Sequence, residues 1–90
     1  MRLKITASSF ASKVSIEVHG RGVTFIESVF LSNKKDFEFG DIDCVLMSED
    51  NILSFQVKQE VFSIPVKPNK DKHKQVIDAL VREVNRSYHG

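Results

Sequence analysis

Cysteine occurs once in this chain, at Cys44, proline twice and glycine four times. A single thiol cannot close an intramolecular disulfide, so the chain is not a stapled secreted scaffold, and a reducing, cytoplasmic setting is the expectation. No apolar run approaches the roughly 20 residues needed to span a bilayer as a helix. The first stretch, "MRLKITASSF", carries charges but no long apolar centre, and does not read as a signal peptide. Neither sign of charge dominates: the formal net charge is +1. A nucleic-acid binder ordinarily shows a marked basic excess, so nucleic acid is not an expected partner, and membrane contact is not favoured.

What is present is ordinary for a globular protein, with 41% hydrophobic and 28% charged residues, and 90 residues suit a single domain over 1–90. Proline and glycine act as punctuation. "HGRG" at His19–Gly22 reads as a tight turn, because glycine tolerates the positive φ that hairpins require. The polar clusters "SNKKD" (Ser32–Asp36) and "SEDN" (Ser48–Asn51) read as further turns.

Between the turns, apolar and polar residues alternate as in half-buried strands. Leu3 and Ile5 share one face, as do Val14, Ile16 and Val18, and then Val23 and Phe25. The alternation slips near Glu27–Ser28, ahead of Val29, Phe30 and Leu31, which predicts a bulge or bend. Phe37 and Phe39 follow in "FEF". Ile42, Cys44 and Leu46 fall on one parity of "IDCVLMS". Leu53, Phe55 and Val57, and then Phe62, Ile64 and Val66, complete the pattern.

The rhythm changes after Pro68. Val76, Ile77, Leu80, Val81 and Val84 form one stripe at helical spacing, predicting a helix over about 70–87. Asn69 or Asp71 can cap its start, Arg82 and Arg86 suit the dipole near its end, and the final "SYHG" is expected to fray. The fold class is therefore α+β, mainly β: about seven short antiparallel strands in a strongly bent sheet or partly open barrel, capped by one C-terminal helix.

This order resembles the pleckstrin-homology-like superfold, in its small bacterial form. The resemblance is carried by "FEFGDIDCVLMSEDNILSFQVKQEVFSIPV" running into "DKHKQVIDALVREV"; the N-terminal half matches by strand count. Tryptophan is common in the terminal helix of many eukaryotic members, and with none here Leu80 or Val84 has to fill that space. The resemblance implies a binding or scaffolding fold rather than an enzyme, with members that take phosphoinositides, peptides or proteins. The inositide pattern of basic residues around the first hairpin is absent: the loop "ASSFAS" (Ala7–Ser12) carries no charge, and Lys13 is followed by Val14 and Ser15.

The residues offer no catalytic constellation. Asp41 and Asp43 flank Ile42 at a turn-to-strand entry, where aspartate ordinarily serves its own backbone. His19, His73 and His89 share no ligand spacing and read as surface histidines, and no metal or cofactor is implied. Cys44, on the apolar parity, reads as a small buried hydrophobe. Two features remain as candidate sites. Val45 and Met47 lie on the opposite parity to Ile42, Cys44 and Leu46, so that strand is apolar on both faces. Either the helix or the N-terminal segment covers them, or they meet a partner. In peptide-binding relatives a groove lies between the fifth strand and the helix, which here implies the Ile42–Ser48 edge as the place for a protein or peptide partner, or for self-association. Lys67, Lys70, Lys72 and Lys74 gather where the helix begins, and are candidates for binding phosphate or an anionic membrane surface.

Overall fold

A computed structural model of the protein describes residues 2–9, 12–28 and 32–89, with the backbone alone at 9, 12, 32 and 89. Strands β1 (Arg2–Ser9), β2 (Ser12–His19), β3 (Gly22–Ser28) and β4 (Ser32–Glu38) lie side by side in that order. A 3-10 turn over Phe39–Asp41 leads to the second sheet, β5 (Cys44–Met47), β6 (Ile52–Val57) and β7 (Glu60–Pro65), also in chain order. The helix α1 (Asp71–His89) follows. All pairings are antiparallel, and among the described residues the two sheets do not join into a closed ladder. The architecture is α+β, mainly strand, consistent with a partly open barrel capped by its C-terminal helix.

Alternation explains the core. Residues directly opposite in an antiparallel ladder share a face. Ile5 opposes Ile16, Ile16 opposes Phe25, and Val18 opposes Val23. In the second sheet Leu53 opposes Ile64, and Phe55 opposes Phe62. These rows are buried, and they meet face to face. The helix lays Val76, Ala79, Leu80 and Val84 over the open end, against β1 and the 3-10 turn and, less extensively, β2 and β5. Leu80 and Val84 are both buried.

Several sequence expectations need correction. "SNKKD" is not a turn but most of β4, paired with β3 from Gly22↔Glu38 to Ser28↔Ser32. Its lysines mark an edge strand, where charge blocks pairing with foreign strands. Lys35 opposes the buried Phe25 and so lies on the inward face at the edge. The ladder runs through Glu27 and Ser28 with no bulge; Val29, Phe30 and Leu31 lie outside the described residues, as do Phe10 and Ala11 of the first loop. Ala7–Ser9 and Ser12 of that loop extend β1 and β2.

The helix differs at both ends and on its flank. Lys70, rather than Asn69 or Asp71, holds the cap position, because its carbonyl accepts the amide of Lys74 at 2.9 Å. Asp71 instead supplies negative charge in the first turn. Val81 is 39% exposed and Ala79 takes its place in the buried face. At roughly 100° per residue, Val81 falls outside the arc centred on Val76 and Leu80. Of the terminal "SYHG", residues 87–89 stay in the helix, where the Tyr88 hydroxyl donates to the carbonyl of Asp43, and Gly90 lies outside the described residues.

The turn at His19–Gly22 is tight, but not because of a left-handed glycine: none of the described glycines has positive φ. Gly22 is required by close approach, since a Cβ there would collide with the carbonyl oxygen of Phe37 across the ladder. Gly20 faces open space. Accordingly, Gly22→Ala should cost about 2 kcal/mol in urea unfolding, whereas Gly20→Ala should fall within about 0.5 kcal/mol of the parent. Equal effects at the two positions would contradict the assigned β3–β4 register.

Candidate functional site

The strand β5 is the edge of its sheet, paired with β6 alone. Its phase is the reverse of the one expected. Val45 opposes Phe55 and Met47 opposes Leu53, so these two face the core side. Cys44 opposes Gln56 and Leu46 opposes Ser54, on the outer side. The cause lies at the strand entry. Ile42 is buried but sits before the strand, and the Asp43 amide donates to the Gln56 carbonyl at 2.7 Å. Gln56 thus meets Asp43 and Cys44 in succession, the two-against-one arrangement of a bulge, which shifts the alternation by one residue. Cys44 is consequently not a core residue: it is half-buried, with its thiol 3.7 Å from Gln56 Oε1.

Backbone direction along β5 follows from one hydrogen bond. Ser48 N–H donates to Ile52 O at 3.0 Å. Hydrogen-bonded pairs alternate with non-bonded ones along an antiparallel ladder. Leu46 and Cys44 therefore bond to β6, while the N–H and C=O of Val45 and Met47 point away from it, toward the open edge. Beside that edge runs a groove of about 240 Å³ between β5 and α1, lined by Asp43, Cys44, Val45, Val81, Val84, Asn85 and Tyr88. Val45 is half-buried and packs on the core. Met47 is 41% exposed, and Leu46, which the sequence pattern had placed with the core, is 64% exposed. The helix covers Val45 in part and leaves the distal half of the strand open.

The basic cluster is divided by the fold. Lys67, Lys70 and His73 line a cavity of about 290 Å³ with Thr6, Ala7, Ser8, Pro65 and Val66, whereas Lys72 and Lys74 do not line it. His73 Nδ1 accepts the Lys67 amide at 3.0 Å, so the ring is neutral at that nitrogen and ties the β7–α1 connection to the first turn of the helix. Burial, and then the cations of Lys70, Lys67 and Lys72, lower its pKa from the ordinary 6.5.

The aspartates behave as turn residues. Asp41 Oδ2 accepts the Glu38 amide at 3.2 Å, and Asp43 Oδ2 accepts the Lys58 amide at 2.9 Å. His19 was not legible as anything but a surface ring, yet it is half-buried and joins three strands. The Thr24 hydroxyl donates to Asp36 Oδ1. Its one proton being used, it must accept from His19 Nε2–H at 3.1 Å, which leaves His19 Nδ1 to accept the Arg21 amide at 3.3 Å. These hydrogen bonds satisfy Thr24, which is buried on the outer face of β3. No spacing rule joins these residues, because they come from separate strands. Among the described residues no group of three or more His, Cys, Asp or Glu side chains is placed to hold a metal, and no helix is long and apolar enough to cross a membrane.

No family model, curated protein or solved structure gives a significant match to this chain.

The His73 contact has a measurable consequence. A group with a lowered folded pKa supports the fold fully above its unfolded pKa, and that support is lost as pH falls through the folded value. Stability should therefore fall as pH drops below about 6.5, and His73→Gln, whose amide oxygen can still accept from Lys67, should show a shallower fall. Urea midpoints of the two proteins measured across that range decide the point; parallel curves would remove His73 from the account.

Proposed function

We propose that this chain is a non-enzymatic binding module of pleckstrin-homology-like type, which takes an extended segment of another protein as an added strand along β5. The observation that carries the reading is the pair of outward backbone groups at Val45 and Met47. An unpaired edge offers a peptide the same ladder a neighbouring strand would use, and the adjacent groove gives side chains a place to seat. Leu46, Met47, Val81 and Tyr88 are the large apolar residues exposed on β5 and α1. Exposed apolar surface bordering an open strand edge is what a recognition site needs and what a purely structural edge avoids. The single thiol fits a cytoplasmic setting for this work.

The test separates backbone pairing from general stickiness. Met47→Pro removes an outward N–H without touching the bonds to β6, a substitution that edge strands tolerate. Dodecapeptides selected from a random displayed library against the parent chain should bind Met47→Pro about tenfold more weakly, through one lost hydrogen bond and the clash of the ring. Thermal unfolding must show the variant folded. Peptides that bind both proteins equally would sink strand addition.

A second reading has a specific observation of its own, the cavity that brings Lys67 and Lys70 together beside Thr6 and Ser8. It makes the chain a peripheral binder of anionic surfaces. Vesicles rich in phosphatidylserine should then retain the parent at low salt, with Lys67→Ala/Lys70→Ala released and the parent released as salt screens the contact over about 8–10 Å. Retention that ignores salt, or none at all, discards it.

A further inference from the structure

Charge is segregated in a way that the near-neutral total conceals. From Asp36 to Val57 the sequence contains six carboxylates, Asp36, Glu38, Asp41, Asp43, Glu49 and Asp50, and no lysine or arginine. The strand β5 lies inside this interval. Asp41 and Asp43 precede it and Glu49 and Asp50 follow it, so both ends of the open edge are acidic. All six are exposed, and the four that flank β5, Asp41, Asp43, Glu49 and Asp50, take no part in the ion pairs that join Arg2 to Glu17, Lys35 to Glu60 and Arg86 to Glu83. On the helix side the groove is lined by the neutral Val81, Val84, Asn85 and Tyr88; its one charged lining residue is Asp43.

This arrangement discriminates between occupants. A second copy of the chain, added antiparallel through its own β5 and centred on Leu46, would set Asp43 of one copy opposite Glu49 of the other at both ends. These residues lie just beyond the two ends of the four-residue strand, where exposed like charges brought close together repel. An acidic peptide would meet the same repulsion. Resting on the strand-addition reading above, we propose that the partner is a different protein's extended segment of four or five residues, with apolar side chains alternating toward the groove and lysine or arginine at both ends. The apolar centre seats against Val45, Val81 and Tyr88, while the flanking cations lie beside Asp43 and Glu49–Asp50. The acidic rim thus serves two purposes: it attracts the basic segment and keeps copies of the chain from stacking edge to edge.

The experiment uses the intact chain and the displayed dodecapeptide library. Selected sequences should carry lysine or arginine on both sides of an alternating apolar centre. A synthetic version of the best clone, followed by fluorescence anisotropy, should bind roughly tenfold more weakly when its basic residues are changed to glutamate or when salt is raised well above physiological strength. Glu49→Gln/Asp50→Asn, which alters neither the outward backbone groups nor the groove, should weaken binding about threefold and flatten the salt dependence. Clones that depend on the Met47 amide but show no basic bias and no response to salt or to that double variant would overturn the charge assignment and leave strand addition standing. An absence of clones, or clones indifferent to Met47→Pro, would overturn strand addition and this inference with it. A dimer in light scattering that Met47→Pro converts to monomer would show that the edge is taken by a second copy, against the proposal.

Discussion

The two sheets of this protein are joined by side chains, since among the described residues no ladder connects one to the other. At their junction stand four phenylalanines, two from each sheet. Phe25 and Phe37 come from β3 and β4, and Phe55 and Phe62 from β6 and β7. Phe62 is the hub, with ring centroids 5.2 Å from Phe25, 5.0 Å from Phe37 and 5.3 Å from Phe55. Phe55 adds edge-on contacts to Phe25 and Phe37 at 6.0 and 5.8 Å. Geometries of this kind contribute about 0.5–1.5 kcal/mol per pair beyond the area they bury. Backbone pairing makes each sheet, but ring packing fixes the angle between them. That angle sets the opening which α1 must cover with Val76, Ala79, Leu80 and Val84. The position of the helix, and hence the groove beside β5, descends from the aromatic junction.

The open ends of the sheets are managed by charge rather than by closure. At the β4 edge the inward-facing Lys35 crosses to Glu60 of β7 at 3.2 Å and lies 5.2 Å from the Phe62 ring centroid. An exposed pair of this kind adds little to stability. Its value is exclusion, because an inward charge on an edge strand makes pairing with a foreign strand unfavourable. The β5 edge is treated differently: it keeps apolar residues along its length and confines its charges to its two ends. Of these two edges, β4 is blocked along its length and β5 is left selective, which is why β5 rather than β4 is the candidate site.

Much of the fold was legible because burial and period agree in β1, β2, β6 and β7. Each alternates cleanly, and the residues read as inward in those strands are the ones that reach the core. The helix was legible for the same reason. The failures share a cause as well. β4 shows no alternation, because an edge strand running past the core carries polar residues on both faces. In β5 a buried Ile42 set the apparent parity, but the bulge at Asp43–Cys44 shifts it, and a side-chain pattern carries no mark of a shift made by the backbone. Gly22 was recognised as a turn glycine for the wrong reason, since a close approach from another strand leaves no local signature.

The candidate site divides along the same line. Val45 and Met47 attracted notice through their side chains, as apolar residues on the second face of an apolar strand. Their side chains turn out to be the less distinctive part: Val45 packs on the core and Met47 is half-open beside it. Their backbone amides and carbonyls carry the argument, and the direction of those groups follows from the Ser48–Ile52 bond and the alternation of the ladder. A shift of one residue in that pairing would hand the outward groups to Cys44 and Leu46 and turn Val45 and Met47 toward solvent. Such a shift is opposed by Phe55, whose burial requires Val45 rather than Cys44 opposite it, and by the aromatic junction that holds Phe55 in place. The constraint that joins the sheets therefore also decides which two residues of the edge remain free to pair.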